Sequence, residues 1–144
     1  MLRKEITSHF GLTLVWLLII SVLHLGWRLN LVWFWLGGLA GTFLPDLERF
    51  LYREPFLLNP QKSPFRNVLF QAILFVCGFY VITSSASFLG KGLVMAISLR
   101  LLKDEIDHPQ SFFWLLKAEL SLYQQKLIIA AMTLIFLGLS FILL

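Results

Sequence analysis

Apolar positions fall into five runs along the chain, at residues 10–27, 31–44, 68–89, 92–102 and 127–144, and the polar residues gather between them. The first, third and fifth runs approach the ~20 residues that carry a helix across the hydrocarbon core of a bilayer. The second and fourth are short. Only Arg28, Leu29 and Asn30 separate the first run from the second, with Asn30 as a turn or capping residue, and Leu89, Gly90 and Lys91 join the third to the fourth in the same way. The pattern predicts two helical hairpins, each a long span with a short return, followed by a last span. Gly37, Gly38 and Gly41 give the second segment a small-residue face that permits close helix contact, which places it inside the bundle.

Two polar stretches complete the outline. Residues 45–66 contain Pro45, Pro55, Pro60 and Pro64, too many for one continuous helix, and read as a loop tethered where Phe56, Leu57 and Leu58 dip into the interface. In residues 111–123, Phe112, Phe113, Leu115, Leu116, Leu120 and Tyr123 recur at roughly helical spacing among Lys117, Glu119 and Ser121. With Ser111 as cap, Pro109 as the preceding break and Trp114 as anchor, this is an amphipathic helix in the headgroup plane. The expected fold is all-α: a multi-pass transmembrane helix bundle of about five helical segments, two of them short, plus this interfacial helix. Residues 1–144 form a single integral membrane domain.

Composition agrees with that outline. The chain is 58% hydrophobic and 14% charged, where soluble domains carry about 25% charge, so a soluble core has no room for its apolar surface. The net charge of +4 is a matter of position. With the amino terminus inside, Arg3, Lys4, Arg49, Arg53, Lys62, Arg66, Arg100, Lys103, Lys117 and Lys126 lie on the inner side, and only Arg28 and Lys91 on the outer. This positive-inside asymmetry predicts a cytoplasmic amino terminus and an outer carboxyl terminus. The expected partners are the lipid bilayer and a membrane protein, with no nucleic acid. Residues 10–27 form a retained span: the run is longer than a signal-peptide core, and His24, Gly26, Trp27 and Arg28 make a poor cleavage site. Cys77 is the sole cysteine, which rules out an intrachain disulfide and a Cys-based zinc site; it is expected to be buried.

Candidate chemistry lies at the inner ends of the spans, where up-down threading brings His9, Asp46 and Asp104 to one membrane face. Imidazole and carboxylate together suit Zn²⁺ or a harder divalent ion such as Mn²⁺ or Mg²⁺, and a metal there could activate water for hydrolysis. His108 would share a helix face with Asp104 if the turn persisted, although Pro109 disfavours that. Plainer roles stay open for each. His9 can be an interfacial polar residue, Asp46 the N-cap of a short helix through Leu47, Glu48 and Arg49, and Asp104 part of a solvated run with Glu105 and Asp107. Arg100 can snorkel to the interface, or form a structural ion pair with Asp46 or Asp104 that replaces a metal.

Ser8-His9 before Gly11, and Leu36-Gly37-Gly38-Leu39-Ala40-Gly41-Thr42-Phe43-Leu44-Pro45-Asp46, carry a resemblance. The pattern resembles the bacterial membrane-bound metal-dependent hydrolases, including the LexA-binding inner-membrane type. That family shows a His near the first span, a Gly-rich helix ending in Pro-Asp, a His-Arg and Thr-His segment, and a His followed four residues later by Asp. The chain departs from it where Ser63-Pro64-Phe65-Arg66-Asn67 contains no His, and where Arg100-Leu101-Leu102-Lys103-Asp104 has Arg in the His position. Asp107-His108-Pro109-Gln110-Ser111-Phe112-Phe113-Trp114 again looks like the family's tail. The likeness covers residues 7–114.

The resemblance implies a divergent membrane hydrolase acting at the inner membrane face on a phosphoester or acyl substrate. His9, Asp46, Asp104 and His108 are its metal-ligand candidates, and a bacterial inner membrane is its location. The alternative is a non-catalytic scaffold or complex subunit, because a guanidinium puts a permanent positive charge where a cation would bind. A transporter is a third class. It is disfavoured because Ser84, Ser85 and Ser87 are the only polar cluster within the spans.

Overall fold

The computed structural model describes residues 2–25, 29–51, 67–108 and 120–143, and they form five α-helices with no strand among them. Helix α1 is Leu2–Ile20, α2 Leu29–Leu51, α3 Val68–Ser84, α4 Phe88–Asp107 and α5 Leu122–Leu143. A wider, π-helical turn at Ser21–Leu25 prolongs α1. It opens at Ser21, whose hydroxyl donates to the Leu17 carbonyl (2.6 Å) while accepting from the Trp35 indole (2.8 Å).

The two segments expected to be short are full helices of 23 and 20 residues. Polar residues flanking their apolar runs continue the helix instead of ending it. Asn30, expected at a turn, sits in the first turn of α2, and Pro45 lies inside that helix. Asp46 is therefore a helical residue and not the N-cap of a new helix. The second hairpin turns at residues 85–87, earlier than the expected Leu89, Gly90 and Lys91, because Ser87 caps α4 by accepting from the Gly90 amide (3.2 Å).

The last helix also starts early. Ser121 and Gln124 form a capping box, with the Gln124 amide donating to Ser121 Oγ (3.3 Å) and the Ser121 amide to Gln124 Oε1 (2.9 Å). Leu122 and Tyr123, expected to finish the interfacial helix, thus open α5. The body of that interfacial helix and the proline-rich loop beyond Leu51 lie outside the described residues.

Helix α4 is the axis of the bundle and packs against each of the other four. Its tightest neighbour is α2, because glycines face one another across the seam. A Cβ on Gly37 would stand 2.0 Å from the Leu89 carbonyl oxygen, one on Gly41 2.4 Å from that of Leu93, and one on Gly92 2.2 Å from that of Phe34. Only glycine lets the two backbones come so close. On the other side, Val68, Phe75 and Ile82 of α3 meet Met95, Leu99 and Leu102 of α4 and Met132, Phe136 and Leu139 of α5. Trp16 joins this cluster to the α1–α2 cluster. Its ring lies 5.7 Å from Phe34 and 6.0 Å from Phe136, and its Nε1 donates to Ser140 Oγ (3.2 Å).

Large apolar side chains cover the outside as well as the core, and polar groups are buried among the core residues. Thr13, Thr42, Gln71, Ser98, Arg100, Glu105 and Ser140 are buried, whereas Val22, Val76 and Phe141 are 81%, 72% and 75% exposed. Cys77, expected inside, belongs to that exterior, on the outward side of α3 with Ile73, Val76 and Tyr80. Helix α5 is long and apolar enough to cross a membrane; Thr7–Leu23 and Val68–Ser84 are shorter apolar helices.

Candidate functional site

Three helices meet at the end of the bundle that carries the start of α1 and the finish of α2 and α4. His9 is 5% exposed, and its Nε2 lies 3.2 Å from Oδ1 of Asp104, in the last turns of α4. One turn into α1, the Thr13 hydroxyl donates to the His9 carbonyl (3.0 Å). His9 is thus buried between helices, and Asp104 is mostly covered, unlike the exposed Asp107. The rings of Phe10 and Phe43, 6.0 Å apart, hold α1 against α2 beside this point.

Arg100 precedes Asp104 by one helical turn and shares its face of α4. The side chain is 3% exposed, and its Nη1 donates to the backbone carbonyl of Thr42 on α2. Pro45, inside α2, has no amide to offer the Gly41 carbonyl, next to the Thr42 carbonyl that accepts from Arg100. Thr42 also turns its hydroxyl back to the Gly38 carbonyl (2.8 Å). The side chain of Asp46 lies outside the described residues.

His108 closes the helix that carries Arg100 and Asp104. It ends α4 with its backbone turned out of the helix (φ −138°, ψ 64°), its amide bonded to the Asp104 carbonyl (2.9 Å) and its side chain exposed. The restriction that Pro109 places on the preceding residue is met here. Beside it, Lys103 and Asp107 form an exposed i,i+4 ion pair (2.7 Å).

Sequence reasoning passes over Glu105 by grouping it with Asp104 and Asp107 as solvated charge. It is 1% exposed, and neither carboxyl oxygen has a hydrogen-bond partner among the described residues. It lies past the apolar run that ends at Leu102, in the polar last turns of α4. Burial first, and then the Asp104 carboxylate beside it, push its carboxyl from 4.5 up to about 8. The missed signal is a helical period: Met95, Ser98, Leu102 and Glu105 follow one another at steps of three and four, along one buried face.

Two donors bound to one tetrahedral zinc at about 2.0–2.1 Å each lie roughly 3.3 Å apart, so the His9–Asp104 spacing alone would suit a pair of ligands. The third candidate ligand, Asp46, has its side chain outside the described residues. Among the described residues no three His, Cys, Asp or Glu side chains converge on a point. A guanidinium, which stays charged, occupies the turn of α4 that would face the ion. The arrangement is suited to balancing buried charge between α1, α2 and α4. No protein-family model, curated protein or solved structure matches this chain.

Proposed function

We propose that this chain is a multi-pass integral membrane protein of the bacterial inner membrane, a divergent relative of the metal-dependent hydrolases, in which Arg100 takes the place of the bound cation. It serves as a non-catalytic membrane subunit or scaffold, with its amino terminus in the cytoplasm.

The observation that carries this reading is the Arg100 guanidinium, buried on the Thr42 carbonyl one turn from Asp104, which itself meets His9. A fixed positive charge inside a bundle is costly, and it is kept where it balances carboxylates and backbone carbonyls. In this chain that balance comes from the Arg side chain, with no need for a dissociable ion. The membrane placement draws support from the apolar exterior on α1, α3 and α5 and the polar groups buried between the helices, which together suit hydrocarbon as the surrounding solvent. The apolar part of α4 ends at Leu102, and its last turns emerge at the inner face with Lys103 half-buried and Asp107 exposed.

Metal content of the detergent-purified chain, read by elemental mass spectrometry beside an Asp46→Ala, Asp104→Ala double variant, tests the proposal. Less than a tenth of an equivalent in both proteins is expected. Near-stoichiometric metal in the wild type that the double variant loses would overturn the scaffold reading. It would restore the alternative that rests on the His9–Asp104 spacing, a hydrolase at the inner leaflet.

A further inference from the structure

Across α4 from Arg100 lies a second buried polar contact that the ion cluster does not use. Gln71 of α3 is 0% exposed and Ser98 of α4 is 1% exposed. The Gln71 carboxamide Nε2 donates to the Ser98 backbone carbonyl (3.2 Å), which holds the amide beside the Ser98 residue. The other half of the contact is unsatisfied. Neither Gln71 Oε1 nor Ser98 Oγ has a hydrogen-bond partner among the described residues. A buried polar atom left in that state costs roughly 1–3 kcal/mol, and two such atoms fall on neighbouring groups here.

We infer that the α3–α4 interface binds one water molecule, held between Gln71 Oε1 and Ser98 Oγ. The chemistry selects water. Gln71 Oε1 can only accept, Ser98 Oγ can donate or accept, and one water donates to the first while exchanging a hydrogen bond with the second. A divalent cation is a poor occupant, because it needs about six oxygen ligands and usually carboxylates among them, while these two groups are neutral. At 3.6 residues per turn, Ser98 and Arg100 point about 200° apart around α4, so the helix itself separates this site from the His9–Asp104 contact. The competing arrangement is a Ser98 hydroxyl turned back to the carbonyl one turn earlier in its own helix, as Thr13 and Thr42 turn theirs. The Ser98 hydroxyl makes no such bond.

Water-selective NMR on the full chain in detergent micelles, reading the Gln71 carboxamide protons, tests the inference. A cross-peak to water with the sign of a long-lived bound molecule is expected in the wild type. It is expected to vanish in Ser98→Val, whose methyl groups fill the site, while the Gln71 proton signals remain. Ser98→Ala, which removes only the hydroxyl, should also abolish the cross-peak and serves if valine disturbs the fold. A wild type without the cross-peak, or one whose cross-peak survives loss of the Ser98 hydroxyl unchanged, would overturn the assignment.

Discussion

Gly92 of α4 lies directly beneath the carbonyl of Phe34 on α2, so close that a Cβ at this position would stand 2.2 Å from the oxygen and 3.0 Å from the Gly38 amide nitrogen. Backbone, unlike a flexible side chain, cannot step aside. Gly92→Ala therefore forces α2 and α4 apart along the seam that also brings Arg100 to Thr42. It should cost about 3 kcal/mol or more, the upper end for overpacking. Gly11 and Gly138 have open space where a Cβ would go, and alanine at either should be neutral or gain up to about 1 kcal/mol through helix propensity. Thermal midpoints of the three variants in detergent check this. Equal effects at Gly92 and Gly138 would contradict the seam.

A good part of this seam is legible in the sequence, because three glycines in five positions on an apolar run have few uses other than close helix contact. Threading likewise brings His9 and Asp104 to one end of the bundle. Element ends are harder to read, since short-range hydrogen bonds decide them. The Ser121–Gln124 capping box starts α5 ahead of the polar Gln124, Gln125 and Lys126 that interrupt the apolar pattern, and Ser87 moves a turn that Gly90 would otherwise mark. Cys77 is misplaced by its residue type, because cysteine's burial habit describes proteins with a polar exterior, whereas this bundle puts apolar residues outside as well as inside. The acceptor of Arg100 could not be foreseen, because it is a backbone carbonyl two helices away in the chain.

Glu105 should make stability depend on pH. A carboxyl that titrates at 4.5 when unfolded and near 8 when folded binds more protons in the folded state between those values. Stability should then be flat below about 4.5, fall as pH rises through that window, and level off above about 8. The loss is on the order of a few kcal/mol, since each tenfold change in proton affinity is worth about 1.4 kcal/mol. Glu105→Gln, neutral at every pH, should lack this slope. Denaturation midpoints from pH 4 to 9 measure it, and identical slopes in the two proteins would place the pH dependence elsewhere.

The single cysteine reports on the surroundings of α3. Cys77 is exposed on the bundle, midway along that helix, next to Val76 and Tyr80. Water would make it reactive, and lipid would shield it. In intact membranes a charged maleimide should leave Cys77 unlabelled, and the same reagent after solubilisation in sodium dodecyl sulfate should label it fully. Complete labelling in intact membranes would contradict a lipid-facing α3.

The proposal that Arg100 stands in for a metal can be tested by reversing the exchange. Arg100→His removes the fixed charge and places imidazole one turn before Asp104, the carboxylate that meets His9, on the same helix face. Zinc titration by calorimetry of the wild type and of Arg100→His, both confirmed folded by circular dichroism, reads the exchange directly. No binding to the wild type and about one equivalent bound to the variant are expected. Zinc binding by the wild type, or none by a folded Arg100→His, would show that Arg100 does not stand in for a cation.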